Sequence, residues 1–370
     1  MKKRYFFLLL FYLITSNIQA QDPTKEWNAL GHKMAAALSA HDQSIDQYFD
    51  KMALLNRFIA PNPINKDIKK FNREIRLQWK EFSIGSSLAK QPVLYQYEYI
   101  GIHEDSSLII RQWEQEEGLN YLLFKLDYLN GTWIGVDLYI MMTGEFVSET
   151  MRNTVYLPTV IRLIQDGKKS RQGMSNAEIY IEASKLMRAE EYQRAYTKIS
   201  GIPLEERLKA HQILKLNLSY YLDSNEKILK TIEEYQIRFP KDPSFEFIML
   251  DKYFLEGKYD KALEAINTVE AFVGTDDYLN YQKGLIYHLM GDLKKSAAEM
   301  RTAIQLRPDQ AFYYWELITI LEWQKSYGKC VKVLEELQAT FADSKAVLKE
   351  KVFKNYNVFP YTRKFKRWAK

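Results

Sequence analysis

Apolar side chains first recur along this chain at helical spacing. In "DQSIDQYFDKMALLNRFI" Ile45, Phe49, Met52, Leu55 and Ile59 fall three or four residues apart, which predicts one amphipathic helix. The prolines of Pro61-Asn62-Pro63 end it. Ile68, Phe71, Ile75, Leu77 and Trp79 in "KDIKKFNREIRLQWKEF" predict a second helical stretch, so residues 24 to about 90 read as helices. The pattern then changes. "PVLYQYEYIGIHED", "SSLIIRQWEQEEG", "LNYLLFKLDYLNG" and "TWIGVDLYIMMTG" are rich in Tyr, Ile, Val and Trp and read as four strands. Glu104-Asp105-Ser106, Glu116-Glu117-Gly118 and Asn130-Gly131 separate them, and Asn-Gly between such runs is a strong hairpin signal. In the last strand Ile134, Val136, Leu138 and Ile140 alternate with Gly135, Asp137, Tyr139 and Met141, which predicts one buried face. After "TGEFVSET" the pattern returns to helix and stays there.

That later region repeats itself. Gly257 in "LEGKYDKALEAI" and Gly291 in "LMGDLKKSAAEM" lie 34 residues apart, and Lys325 in "WQKSYGKCVKVL" lies 34 further on. Pro240 and Pro308 are 68 apart, two such periods. Tyr259, Leu293 and Tyr327 share one column, and Ala262, Ser296 and Cys330 another. A 34-residue period with these columns resembles the tetratricopeptide repeat. The resemblance reads clearly over Pro243–Asp276, Asp277–Gln310 and Ala311–Ser344 and is partial over Lys209–Asp242, and a shortened unit runs from Ala177 to Ile199. It implies pairs of antiparallel helices. Gly284 and Ser296 would be the small sites of close approach, with Ala303 packing on the next unit and Tyr287 filling the gap between helices. Gly291 would relieve the turn at positive φ, and Pro308 would stop the second helix. Cys330 takes the small column, which predicts a core residue.

The expected fold is therefore an α+β N-terminal domain, helices plus a four-stranded antiparallel meander, followed by an all-α tetratricopeptide-like solenoid. By layout the first part resembles the cystatin-like or nuclear-transport-factor-like cone. The expected division is a leader at 1–20, the α+β domain at 21–165, a linker at 166–174 containing part of "QDGKKSRQGMS", the solenoid at 175–348 and a basic, aromatic tail at 349–370.

The first residues bear on location. Lys2, Lys3 and Arg4 precede the apolar run "YFFLLLFYLIT", and "SNIQA" follows it. This is the layout of a secretory signal cleaved after Ala20, and the run is well short of the ~20 residues that span a bilayer. Cys330 is the single cysteine, so neither an internal disulfide nor a lipid anchor on a new N-terminal Cys is available. The expectation is an exported, soluble protein, periplasmic or extracellular. Net charge is +5, of which the leader carries three. Residues 349–370 hold eight Lys or Arg and one Glu, so the body between is mildly acidic and the tail strongly basic.

Catalytic motifs are missing. His32, His41, His103, His211 and His288 form no HExxH or His–Cys spacing, and there is no GxSxG, GxxxxGK or GxGxxG. No cofactor and no metal is called for. His103-Glu104-Asp105 falls in an expected hairpin turn, where solvated polar residues belong. Asp127 and Asp137 fall on adjacent strands and read as exposed residues rather than an acid–base pair. The tetratricopeptide resemblance implies instead a ligand groove on the concave face formed by the first helices. The residues expected there are Tyr220 with Tyr221, Phe247, Phe254, Tyr278, Tyr281, His288, Phe312, Trp315 and Trp323, an aromatic contact surface. Asn217 matches one residue of the carboxylate-clamp subfamily, but Ile213 and Phe247 stand where clamp residues would sit, so a C-terminal carboxylate is not the expected ligand.

The resulting expectation is a non-enzymatic scaffold that binds a protein or peptide, with no nucleic acid as partner. The groove's occupant is either that partner or the chain's own N-terminal half or tail. The alternative function is a small-ligand or hydrolytic α+β cone with the solenoid as docking arm. In the tail, Phe353, Phe359 and Trp368 are expected inward, over Val347, Leu348 and Val352, as a cap on the last repeat. The alternative there is contact with an anionic lipid or wall polymer.

Overall fold

A computed structural model of the chain describes residues 23–89, 95–114, 118–165, 176–240 and 244–370. The leader, the 166–174 linker and the Glu116-Glu117 turn lie outside the described residues. The N-terminal helices are α1 (Thr24–Ser39), α2 (Lys51–Phe58), α3 (Lys66–Trp79) and α4 (Ile84–Ala89), with a 3₁₀ turn at Gln43–Tyr48. An antiparallel meander follows: β1 (Gln96–Ile102), β2 (Leu108–Glu114), β3 (Gly118–Leu129), β4 (Thr132–Ile140) and β5 (Glu145–Phe146), in the order β1-β2-β3-β4-β5. The two-residue β5 was not anticipated, because two residues carry no alternation to read. The rest is helical: α5 (Val147–Met151), a π-helical turn (Arg152–Tyr156) and α6 (Leu157–Gln165) precede α7 (Asn176–Arg188) and α8 (Tyr192–Ser200). Then come α9 (Lys209–Tyr221), α10 (Asn225–Arg238), α11 (Phe245–Leu255), α12 (Tyr259–Val273), α13 (Asp277–Leu289) and α14 (Leu293–Leu306). The chain closes with α15 (Ala311–Trp323), α16 (Tyr327–Phe341), α17 (Lys345–Asn355), a 3₁₀ turn at Phe359–Tyr361 and α18 (Arg363–Trp368). The fold is an α+β domain followed by a helical solenoid.

The chain forms two compact units, one running up to Arg57 and resuming over Arg73–Leu138, the other made of Phe58–Asn72 with Tyr139–Lys370. In the first unit, β2 and β3 pair in register from Leu108↔Phe124 to Glu114↔Gly118. Asn130 and Gly131 both take positive φ, 52° and 84°, the conformation a two-residue hairpin between right-twisted strands requires. Helix α1 lies against β1 at Gly31, where a Cβ would come within 2.3 Å of the Tyr99 ring. The Tyr99 hydroxyl donates to Asn28 Oδ1 at 2.7 Å. The helix expected over residues 42–59 is interrupted. Phe49 bridges to Gly135, the Asp50 N–H donates to the Gly135 carbonyl at 2.8 Å, and the Asp50 carboxylate accepts from the N–H groups of Met52 and Ala53 to start α2 afresh. That contact also covers the second face of β4. Gly135, Val136, Asp137 and Leu138 are buried in succession, and the residues on either side are half-buried without alternation, so the single buried face expected from alternation is not found. Asp137 is buried while Asp127 is exposed, which corrects the expectation of two exposed carboxylates. His103 Nδ1 lies 2.8 Å from Asp105 Oδ1 inside a tight turn, the local polar contact expected of a hairpin.

In the second unit the segment Phe58–Asn72 is tied to the α5–α6 region. Tyr156 stacks on Phe71 and its hydroxyl accepts from the Ala60 N–H at 3.0 Å, while Asn72 donates to the Ala60 carbonyl at 2.8 Å. Five helix pairs follow: α7/α8, α9/α10, α11/α12, α13/α14 and α15/α16. Their second helices begin at 192, 225, 259, 293 and 327, so successive starts are 33, 34, 34 and 34 residues apart. Within each pair the chain reverses through three residues. The middle one is Glu190, Asp223, Gly257, Gly291 or Lys325, with φ of 60°, 47°, 66°, 79° and 56°. In each turn an N–H bonds back to the carbonyl five residues earlier: Glu191 to Leu186, Ser224 to Ser219, Lys258 to Tyr253, Asp292 to Tyr287 and Ser326 to Leu321. This is the paired hydrogen bonding of a Schellman helix end.

The small columns sit where the helices touch. A Cβ on Gly284 would lie 2.9 Å from Met300 Cε, and Ser296 Oγ donates to the Gly284 carbonyl at 2.8 Å. One period on, Cys330 Sγ lies 3.9 Å from the Ile318 carbonyl and is fully buried. Burial pushes its thiol up to about 12, so the thiolate is suppressed.

Beyond α16, helix α17 takes the place of a sixth first helix. Tyr356, Phe359, Phe365 and Trp368 are buried in one cluster with Leu317, Val333, Leu337, Leu348 and Val352. Arg363, Lys364, Lys366 and Arg367 stay exposed. Phe353 and Val347 are 52% and 41% exposed, unlike the inward positions expected for them. Leu348 and Val352, one helical turn apart, define the inner face of α17 and leave these two on its flank.

The left-handed turn residue yields a stability prediction. A non-glycine residue in that conformation costs about 1–2 kcal/mol, partly offset by glycine's larger unfolded-state entropy. Lys325→Gly should therefore stabilise the protein by about 0.5–1 kcal/mol, and Gly291→Ala should destabilise it by about 1 kcal/mol. Urea midpoints at unchanged slope measure both. The same sign for the two substitutions would contradict the assignment of these turns.

Candidate functional site

The residues expected in the groove fall into two groups. One is drawn into packing between successive first helices. Tyr278 is 8% exposed, and Tyr281 is half-buried with its ring centroid 5.4 Å from Tyr278, 5.2 Å from Phe312 and 5.6 Å from Tyr313. Burial, with the Glu316 carboxylate beside it, raises the Tyr281 hydroxyl's pKa. Burial likewise raises the Glu316 carboxyl. Trp315 lies under α17 and the residue that follows it: Tyr356 stacks on it at 6.4 Å, Lys351 Nζ sits 5.9 Å from its ring and the Tyr356 hydroxyl donates to its carbonyl at 2.8 Å. Part of the aromatic set is therefore covered by the chain itself.

The other group remains accessible. Tyr220 and Tyr221 are 39% and 45% exposed, and Tyr221 stacks on Tyr192 at 4.7 Å. Phe247 and Phe254 are half-buried on α11. His288 meets Trp323 edge-on at 5.9 Å, and Trp323 is 66% exposed. Trp323 belongs to a column that the sequence reading did not assemble. Tyr221, Leu255, Leu289 and Trp323 are the last residues of α9, α11, α13 and α15, each 34 residues from the next, and all four are exposed. The repeat period was a usable signal for it, but Leu255 and Leu289 are indistinguishable from core leucines until exposure is known.

A buried polar cluster at the α9–α10 pair was also missed. Glu234 Oε2 receives hydrogen bonds from Arg207 Nη1 at 2.7 Å, Lys215 Nζ at 2.6 Å and Gln212 Nε2 at 3.2 Å. Arg207 also donates to the carbonyls of Ile202 and Ser200. Burial alone would raise the Glu234 carboxyl, but the Lys215 ammonium and Arg207 guanidinium hold it below its usual range. Burial lowers the Lys215 ammonium in spite of Glu234. Such a cluster fixes the helix pair, because removing one partner strands a buried charge. Beside it His211 is 1% exposed, and its Nδ1 accepts from the Leu208 N–H at 3.2 Å at the start of α9. Burial, then the nearby Arg207 charge, lower its pKa to about 4, so the ring is neutral. Among the described residues no group of three or more His, Cys, Asp or Glu is placed to hold a metal ion, and no helix is long and apolar enough to cross a membrane.

No family model matches the sequence, and no curated protein matches it. Solved structures do. The chain is similar to residues 41-end of MamA from Desulfovibrio magneticus RS-1, at 15% identity over 46% of this chain and 99% of that one, with a TM-score of 0.40. It is similar to another MamA crystal structure at 16% identity over 49% and 95%, with a TM-score of 0.37. It is similar to PilW, described as a widely conserved type IV pilus biogenesis factor, at 13% identity over 54% and 100%, with a TM-score of 0.36.

Two predictions follow from the placement of these side chains. Trp315→Ala should lower stability by about 2 kcal/mol, because it removes the surface on which Tyr356 rests. Trp323→Ala should stay within about 0.5 kcal/mol. Equal effects in urea unfolding would mean that one of the two rings is misassigned. His211 gives a pH dependence. Its folded pKa lies below the unfolded value, so the unfolded chain binds the proton more readily. The neutral ring's contribution is complete above about pH 6.5 and is lost as pH falls toward about 4, up to about 3 kcal/mol in all. His211→Gln keeps an acceptor for the Leu208 N–H and does not titrate. The stability gap between wild type and this variant should shift toward the variant between pH 7 and pH 4.5; a constant gap would refute the neutral buried ring.

Proposed function

We propose that the protein is a non-enzymatic scaffold that binds a protein or peptide through its solenoid. The exposed column Tyr221, Leu255, Leu289 and Trp323 supports this reading above the rest. Successive units of a solenoid stack against their neighbours, so one position repeated at the repeat period forms a row. A row of four large apolar side chains in water marks a contact surface. Tyr220, Phe247, Phe254 and His288 extend the proposed surface, and Tyr278, Tyr281 and Trp315, drawn into packing, are left out of it. The α+β domain at 21–165 and the solenoid at 175–348 are proposed as its two working parts, with 349–370 closing the last repeat. Export is part of the proposal, supported by the basic start and short apolar run of residues 1–20.

The recognition claim is tested with full-length protein carrying Leu255→Ser, Leu289→Ser and Trp323→Ser together. Stability should change little, since all three residues are exposed. Affinity for partners recovered by cross-linking from the envelope fraction should fall by roughly thirtyfold, as loss of interface anchors does. An unchanged partner profile would remove the row from the function. For export, N-terminal sequencing of the mature protein should begin at Gln21. Recovery of a species that keeps Met1 would argue for a retained leader.

A further inference from the structure

The outer surface of the C-terminal cap is charged in one sense. Residues 363–370 contain five cations, Arg363, Lys364, Lys366, Arg367 and Lys370, and no acidic residue. All five side chains are exposed, and none has an ion-pair or hydrogen-bond partner among the described residues. The cap holds them in fixed positions. Phe365 and Trp368, set among them in the sequence, are buried. Lys345 Nζ donates to the Trp368 carbonyl at 2.7 Å and Lys349 Nζ to the Ala369 carbonyl at 2.9 Å, which ties down the end of α18. Glu322 Oε1 accepts from the N–H groups of Val358 and Phe359 at 3.1 and 2.6 Å, so that carboxylate is spent on the backbone of the turn.

Large apolar side chains stand in water beside these cations. Phe353, Val358 and Tyr361 are 52%, 52% and 65% exposed. The Phe353 ring meets Tyr361 edge-on at 6.0 Å and Phe365 edge-on at 5.7 Å. Phe365 is the residue between Lys364 and Lys366, so the exposed rings border the cations directly. A soluble polyanion would use the charges and leave the rings in water. A bilayer surface meets both: anionic headgroups attract Lys and Arg, and aromatic and aliphatic side chains enter the boundary between headgroups and acyl chains.

We propose that the C-terminal cap docks the protein on the surface of an anionic lipid bilayer, with the α18 cations on the headgroups and Tyr361, Val358 and Phe353 at the acyl boundary. The attachment is peripheral, since no described helix is long and apolar enough to cross a membrane. The body of the chain between leader and tail is mildly acidic, so the same surface repels it and the approach is cap first. The inward aromatics that close the last repeat and the outward cations are then two uses of one short segment. This surface is separate from the exposed row on α9, α11, α13 and α15, and it stands whether or not that row binds a protein.

The test uses full-length protein in which Val358→Cys carries an environment-sensitive thiol fluorophore. Cys330 is fully buried, so labelling is confined to position 358. The probes are vesicles of phosphatidylcholine containing phosphatidylglycerol, vesicles of phosphatidylcholine alone, and heparin as a soluble polyanion. Anionic vesicles at physiological salt should shift the emission to the blue saturably, and neutral vesicles should not. Lys364→Gln, Lys366→Gln and Arg367→Gln together should weaken partitioning by roughly hundredfold. Tyr361→Ser should weaken it by about tenfold and leave the affinity for heparin unchanged. All four residues are exposed, so the urea midpoints of the variants should match the parent's, and the comparison of vesicle compositions needs no variant beyond the labelled parent. No blue shift with anionic vesicles would overturn the proposal. So would an equal response to neutral vesicles, which would leave the cations without a role. A Tyr361→Ser protein that binds vesicles as its parent does would also overturn it and make the patch a site for soluble polyanions.

Discussion

In each of the five hairpins three residues reverse the chain between antiparallel helices, and the middle one is held at positive φ. This local reversal sets the rest of the C-terminal half. With the turn fixed, the second helix begins at the same place in every unit. The small column of the second helices then falls against the backbone of the first, Ser296 at the Gly284 carbonyl and Cys330 at the Ile318 carbonyl. With a small side chain on the second helix at that crossing, the helices approach closely enough for Met300, Ala303 and Val333 to be fully buried. The turn is also tolerant. Two of the five positions are glycine, and Glu190, Asp223 and Lys325 are held there by the hydrogen bond that each turn returns to the preceding helix. The period therefore survives where the sequence departs from glycine.

What could be read from the chain beforehand depended on how local its cause was. Asn130-Gly131, the positive-φ glycines and the small column are set by residues within one turn or one hairpin, and each could be found from spacing. The break at Phe49-Asp50 could not, because its cause is Gly135, far along the chain. The same holds for Gly31, whose missing side chain makes room for Tyr99. Asp137 looked exposed because strand alternation assumes one wet face, and Phe49 covers that face. Of the aromatic set, the sequence supplied the positions but not their depth. Whether an aromatic ring on a first helix is free or covered depends on what the next unit places over it.

The last unit shows how that dependence works. Trp315 would lie open at the end of a solenoid of five pairs, but α17 continues the array and sets Tyr356 and Lys351 against it. The helix that covers Trp315 is then itself closed, by Phe359, Phe365 and Trp368. The tail's alternation of basic and aromatic residues is thus a division of labour along a short helix: aromatics three residues apart turn inward and the cations between them stay in water. Trp323, the last residue of its helix, is only partly covered: His288 of the preceding unit meets it edge-on and the rest stays exposed, as Tyr221, Leu255 and Leu289 are exposed at the ends of theirs.

Helix α9 sets a filled polar site next to an unfilled one. Gln212 and Lys215 are buried and spend their donors on Glu234 and the Thr231 carbonyl. One residue before Gln212, His211 is buried as deeply, yet it uses only the nitrogen that faces its own helix start. Both sites face the same low dielectric, so the difference is not one of local tolerance for polarity. It lies in what surrounds each: side chains of α10 close around Gln212 and Lys215, and none of them reaches His211 Nε2. A leucine or phenylalanine at 211 would remove the unmet donor at the expense of the hydrogen bond to Leu208 N–H. A glutamine would keep that bond and still fit a helix start. Helix formation alone therefore does not demand an imidazole at this position, and the feature that distinguishes histidine from glutamine here is the rigid N–H on the far side of the ring.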